Sequence, residues 1–197
     1  MSSDGGSGDD LSSRRSRLLE VVRGKAVQTF DEPKVLASGA LSHVFIDVKA
    51  GLCRGSDLAL ACSVIADSVA EAGIGFDAVG GLTMGADQFA YGVAIHLGGA
   101  HEWFVVRKEP KGRGTDRLVE GARLDESTRV LLVDDAVTTG GSIQKAYRAV
   151  VDTGAEVVAA VTLADRGEVA RRFFEAEAVP YLPVFTYVVL GIDPIDG

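Results

Sequence analysis

The chain has 197 residues, 47% of them hydrophobic, and carries a formal net charge of -8. That length buries a core most simply as one domain, and the acidic balance argues against a general nucleic-acid binder, which needs a basic surface. No apolar run approaches the length of a membrane span, and the opening MSSDGGSGDDLSS lacks the basic-then-apolar order of a secretory signal, so the expected compartment is the cytoplasm. Cys53 and Cys62 fit neither a disulfide framework nor a zinc spacing and read as reduced thiols. His43, His96 and His101 are too scattered to suggest a metal site.

Residues 1–11, rich in Ser, Gly and Asp, offer nothing to offset the entropy of ordering and are expected to form a disordered tail, with one domain over residues 12–197. LSSRRSRLLEVVRG reads as a first helix: Asp10 or a serine caps it, Leu18, Leu19, Val21 and Val22 form its apolar stripe, and Gly24 stops it. A less regular segment follows, with a turn at Ser38 and Gly39, before SHVFIDVK alternates as a strand. GSDLALACSVIADSVAEAG is an amphipathic helix ending at Gly73, and FDAVGGLTMG a short buried strand running into a glycine turn. ADQFAYGVAIHLGG and HEWFVVRK continue as helix and strand. TRVLLV is unbroken and apolar, as a central parallel strand is when both faces are covered. SIQKAYRAVVDTG, AEVVAAVTLAD, EVARRFFEAEA and YLPVFTYVVL complete the alternation as helix, strand, helix and last strand. The pattern predicts an α/β fold, doubly wound around a mainly parallel sheet, in which ligands bind at strand carboxyl ends near a topological switch point.

Two stretches carry the chemistry. The first, RKEPKGRGTDR over residues 107–117, sets five cations (Arg107, Lys108, Lys111, Arg113 and Arg117) against two carboxylates in an otherwise acidic chain, and its glycines and proline suit a movable anion clamp. The second is VLLVDDAVTTGGS over residues 130–142. Gly140 and Gly141 let the backbone turn tightly, and a helix starting near Ser142 would point its free amides at the same spot, a geometry that binds phosphate. Thr138, Thr139 and Ser142 add hydroxyl donors. Asp134 and Asp135 would repel a phosphate, so they face something else: ribose hydroxyls, for which ionised carboxylates are pure acceptors, or a magnesium-bound water shell. The nucleotide motifs GxxxxGK[ST] and strand-linked GxGxxG are absent.

VLLVDDAVTTGGS resembles the phosphoribosyl pyrophosphate (PRPP) motif of type I phosphoribosyltransferases, and other stretches narrow the resemblance to the orotate phosphoribosyltransferase family. VLASGALSHVFIDVKAG is similar to that family's N-terminal Ser-Gly segment, FDAVGGLTMGAD to its pyrophosphate-side loop, FVVRKEPKGRG to its mobile catalytic loop, and LADR to its base-binding strand end. The resemblance spans roughly residues 12–190 and implies a type I phosphoribosyltransferase fold with a small N-terminal hood. It implies that Asp134 and Asp135 hold the ribose hydroxyls while Ala136, Val137, Thr138, Thr139, Gly140, Gly141 and Ser142 cradle the 5-phosphate. Arg107, Lys108, Lys111 and Arg113 would bind pyrophosphate, with Lys108 the catalytic lysine, and the loop would reach into the neighbouring subunit of a homodimer. Orotate would sit near Phe45 and Ile46, with Thr138 and Arg166 at its polar edge and carboxylate. Mg2+ is implied as cofactor, bound mainly through PRPP.

This chain departs from the family at several positions. Arg113 stands where the loop usually carries a histidine, which keeps the charge and removes a titratable group. Ala37 and Met84 replace lysines found in some members, and His43 replaces a common proline. Three other readings share some of these features. A phosphoribosyltransferase for another nucleobase would differ around Phe45 and Arg166, a non-catalytic PRPP-sensing regulator would bind without turnover, and a purely structural interaction module would need neither.

Overall fold

The computed structural model describes residues 10–36, 39–110 and 117–195. The first helix, α1 (Leu11–Val21), begins where Asp10 accepts a 2.7 Å hydrogen bond from the Ser13 amide. It does not stop at Gly24. One π-helical turn, Val22–Ala26, carries the chain through that glycine and buries Val22 and Ala26. Of the expected tail, Asp10 and Leu11 form the start of this helix, and the rest lies outside the described residues.

Next comes an antiparallel hairpin, β1 (Val27–Val35) and β2 (Leu41–Ile46), in which Gln28 pairs with Phe45 and Thr29 with Val44. Its register shifts between Thr29 and Lys34, where Pro33 has no amide to give the ladder. SHVFIDVK is strand only as far as Ile46. Asp47 caps a short helix, α2 (Val48–Gly51), by accepting from the Ala50 amide at 3.0 Å, and this turns Lys49 out of the hairpin.

The rest of the chain winds a six-stranded sheet of order β5-β4-β3-β6-β7-β8. In sequence these elements are α3 (Gly55–Glu71), β3 (Ala78–Leu82), α4 (Asp87–Leu97), β4 (Glu102–Val106), β5 (Val119–Gly121), β6 (Arg129–Val137), α5 (Gly141–Val151), β7 (Glu156–Asp165), α6 (Val169–Ala176), β8 (Phe185–Thr186) and α7 (Tyr187–Leu190). All neighbours pair in parallel except β5, which lies antiparallel along the edge of β4. The apolar run in β6 serves both faces, as period-two alternation requires. Leu131 and Val133 pack with Ile65, Val69, Val79 and Phe89 beneath α1, α3 and α4, whereas Val130 and Leu132 pack with Phe104, Ile143, Val150 and Phe174 beneath α5 and α6.

The expected last strand shrinks. Beside β7 the Leu182 and Val184 amides donate to the Ala160 and Thr162 carbonyls at 2.9 and 2.8 Å, but YLPVFTYVVL contributes only a single bridge at Tyr181 and the two-residue β8 before α7, whose Val189 amide donates to Thr186 Oγ1. From β3 the chain runs one way to β4 and β5, while β6, β7 and β8 extend the other way. The crevice of such a sheet opens at the carboxyl ends of β3 and β6. Among the described residues, no helix is long and apolar enough to cross a membrane. Cys53 is exposed and Cys62 buried, both unpaired, and burial pushes the Cys62 thiol up to about 12.

Candidate active site

Strand β6 runs farther than its apolar residues. Its ladder with β7 continues through Asp134 opposite Thr162 to Val137 opposite Asp165, so both acids stand inside the strand rather than in the turn after it. Each carboxylate accepts from the next amide: Asp134 Oδ1 from Asp135 N at 2.9 Å, Asp135 Oδ1 from Ala136 N at 2.7 Å. Asp134 is 3% exposed, and its second oxygen, Oδ2, is buried without a partner among the described residues. Desolvation, with the Asp135 charge beside it, pushes the Asp134 carboxyl up to about 8. A buried acceptor held in this way is ready for a hydroxyl donor.

The turn that follows has the expected shape. Thr138 and Thr139 leave the strand, Gly140 adopts a left-handed conformation with φ of +74°, and α5 starts at Gly141. A side chain at Gly140 would be strained in that conformation. The first amides of α5 lack intrahelical partners, so Gly141, Ser142 and Ile143 present N–H groups at the carboxyl end of the sheet. Carboxylates and amide nest are thus a few residues apart on one strand and its turn.

The turn after β3 closes one side of the acid pair. A Cβ added to Gly85 would lie 2.5 Å from Asp134 Oδ1 and 2.8 Å from Asp135 Oδ1, so only glycine admits this approach. Beside it Thr83 Oγ1 donates to Asp87 Oδ2 at 2.8 Å, and Met84 is exposed. On the other side Lys49 Nζ meets Asp135 Oδ2 at 2.6 Å. Burial pulls the Lys49 ammonium down, but the Asp135 hydrogen bond and the charges of Asp135, Asp47 and Asp134 outweigh it and its pKa is raised.

Residues 58–172 match the family model described as the phosphoribosyl transferase domain. The chain is 39% identical over 184 residues to an orotate phosphoribosyltransferase of Streptomyces avermitilis, covering 91% of this chain and 98% of that protein. It is 37% identical over 175 residues to one of Aquifex aeolicus, covering 87% and 94%. A crystal structure of the Mycobacterium tuberculosis orotate phosphoribosyltransferase in complex with PRPP superposes with a TM-score of 0.75 at 33% identity, over 91% of this chain and 99% of that one. The chain belongs to the orotate phosphoribosyltransferase family.

Membership gives the hairpin β1–β2 its sense as the hood of an orotate phosphoribosyltransferase fold. Arg166, expected to meet the orotate carboxylate, is 2% exposed at the end of β7. Its Nη1 donates to the Val44 carbonyl at 2.9 Å and its Nη2 to Ser42 Oγ at 3.1 Å, so its fork binds the hood strand here, and Nε is buried without a partner among the described residues. Desolvation lowers its pKa. Phe45 is 42% exposed next to that latch, whereas Ile46 is buried and its side chain belongs to the core. Any contact of Ile46 with a ligand therefore falls to its backbone.

Of the cationic stretch, Arg107 is anchored at its stem: its amide donates to the Leu118 carbonyl at 2.8 Å and its Nε to the Glu109 carbonyl at 3.2 Å. Lys108 is exposed, and its carbonyl accepts from Lys145 Nζ on α5. Lys111 and Arg113 lie outside the described residues, as do Ala37 and Ser38. Sequence reasoning missed Lys49 and Gly85. The signal for Lys49 was Asp47 two residues earlier, a helix cap that ends the strand and re-aims the lysine; Gly85 differs in no local feature from the other glycines of its segment.

Proposed function

We propose that this chain catalyses transfer of the ribose 5-phosphate group of PRPP to N1 of orotate, giving orotidine 5-phosphate and pyrophosphate in pyrimidine nucleotide synthesis. The carrying observation is the end of β6, where a buried carboxylate with an oxygen unpartnered among the described residues stands beside an amide-lined turn. The carboxylates of Asp134 and Asp135 accept from the ribose hydroxyls, and residues 136–142 hold the 5-phosphate. The bond from ribose C1 to pyrophosphate breaks as the bond to N1 forms, and the N1 proton departs. C1 becomes cation-like on the way, so the site must stabilise negative charge on the leaving group and exclude water. Lys108 is the catalytic residue of this step, with Arg107, Lys111 and Arg113 as further pyrophosphate donors, each well-placed donor lowering the barrier by about 3 kcal/mol. Arg166, Thr138, Phe45 and the backbone of Ile46 form the base side, Arg166 both fixing the hood and facing the orotate carboxylate.

Two hard-oxygen carboxylates, one with a buried oxygen unpartnered among the described residues, fit the water shell of Mg2+ carried by PRPP. The ion supplies charge neutralisation to the pyrophosphate. The working unit is a homodimer whose cationic loop serves the neighbouring site; exposed Tyr91, Ile95 and Trp103 on α4 and β4 support self-association.

The test is pyrophosphate release from PRPP and Mg2+ with orotate, uracil or adenine. Release with orotate alone supports the reading. Release with another base alone assigns a different acceptor, and saturable PRPP binding without release for any base refutes catalysis.

A further inference from the structure

Lys49 is none of the residues given a role in the reaction above, yet it makes a close ionic contact in the site, 2.6 Å from Asp135. Its backbone belongs to α2, whose buried residues are Val48 and Gly51, so its side chain contributes little to packing. Its charge has a clearer use. The end of β6 sets two carboxylates side by side, and the ligand proposed above brings a phosphate and a diphosphate to the same place. Like charges in so small a space repel. Lys49 is placed to offset one of the two carboxylates while leaving their remaining lone pairs open to hydroxyl donors, because an ionised carboxylate has about four acceptor sites.

The contact also fixes geometry. Asp135 Oδ1 is held by the Ala136 amide and Oδ2 by Lys49, so both oxygens are clamped before a ligand arrives. Gly85 closes the near side of the acid pair without a side chain of its own. Because α2 directly follows the hood hairpin, the same ammonium ties the base-covering element to the sugar-binding strand.

We infer that Lys49 is a positioning residue for PRPP: it aligns Asp135 for the ribose hydroxyls and neutralises one charge of a cradle that must admit a polyanion. This rests on the reading of the site given above. The groups facing the pair are Asp134 and Asp135 from β6, Lys49 and Asp47 from the hood exit, and the uncharged turn at Gly85.

PRPP affinity is measured by calorimetry on the full chain with Mg2+, for the parent and for Lys49→Met, Lys49→Gln and Lys49→Arg. Two neutral variants are used so that a folding defect in one leaves the other as the readout. The neutral variants are expected to weaken PRPP binding on the order of tenfold at low salt, with kcat at saturating PRPP changed by less than about twofold. Near 1 M salt, where the screening length falls to about 3 Å, the difference should contract. Lys49→Arg should restore most of the affinity. Unchanged affinity in a folded neutral variant overturns the inference, as does an arginine variant as weak as the neutral ones. A parent chain that binds no PRPP overturns the reading of the site itself.

Discussion

Replacing Asp134 by Asn should make the empty protein more stable and the enzyme inert. The carboxyl is 3% exposed, faces Asp135, and has its pKa moved from an ordinary 3.8 to about 8. Between those values the folded chain keeps a proton that the unfolded chain gives up, so the contribution of this group to stability is greatest below pH 3.8 and declines as pH rises toward 8. The decline is about 1.4 kcal/mol per pH unit, or roughly 3 kcal/mol between pH 5 and 7.5. Asn keeps the shape and the oxygen that accepts from the Asp135 amide but has nothing to ionise. Urea unfolding of the ligand-free protein at pH 5, 6, 7 and 7.5 should therefore show a falling stability for the parent and a flatter profile for Asp134→Asn, with the variant ahead at pH 7.5. If, as proposed, the ionised carboxylate receives the ribose hydroxyls, PRPP binding near pH 7 should release close to one proton, read by calorimetry in buffers of different ionisation heat. Asp134→Asn should release none and bind weakly. Parallel pH profiles for the two proteins would refute the argument, since they would mean that the native carboxyl titrates as it does in the unfolded chain.

Lys108→Ala should lower turnover about 100-fold without lowering stability, because it removes one transition-state donor from an exposed position; when it is mixed with Asp134→Asn chains, heterodimers should regain activity if the loop serves the neighbouring site, and their inactivity would contradict loop sharing. Gly85→Ala forces a methyl to within 2.5 Å of Asp134 Oδ1, so PRPP affinity should fall on the order of tenfold or more, and calorimetry showing parental affinity would mean that the β3 turn does not shape the cradle. Arg166→Ala leaves the Val44 carbonyl and Ser42 Oγ without their charged donor, so amide exchange in β2 should accelerate and the KM for orotate should rise about tenfold or more while PRPP affinity holds; slow exchange and an unchanged KM would detach Arg166 from the hood and base roles together.

The fold was legible wherever burial imposes a period. From Gly55 to Ala176 the strands β3, β6 and β7 are covered on both faces and each helix on one, so apolar runs and amphipathic stripes mark them plainly. Elements outside that double layer escape the rule. Strand β1 carries Asp31, Glu32 and Pro33 and is mostly exposed, so its pairing comes from the hairpin partner rather than from its own pattern. β5 is three residues at a sheet edge, and no periodicity exists at that length. In YLPVFTYVVL the apolar content is real, but after β8 Thr186 Oγ1 caps the next turn and the segment bends into α7.

The site divides along a similar line. What a sugar phosphate demands of a protein, acceptors, hydroxyls and bare amides, is concentrated in residues 134–142, and chemistry alone singles them out. What prepares those groups before a ligand arrives comes from elsewhere in the chain: Lys49 reaches Asp135 across 86 residues and Arg166 reaches the hood across 122. Neither contact leaves a local trace, because an ion pair or a side-chain latch needs only one residue at each end. The costly member of the pair, Asp134, is buried with an oxygen that has no partner among the described residues, and unsatisfied buried groups of this kind concentrate at functional sites. Stability and the proposed function therefore pull in opposite directions at this carboxyl, since the same burial that destabilises its charge would strengthen each hydrogen bond it made to a ribose hydroxyl.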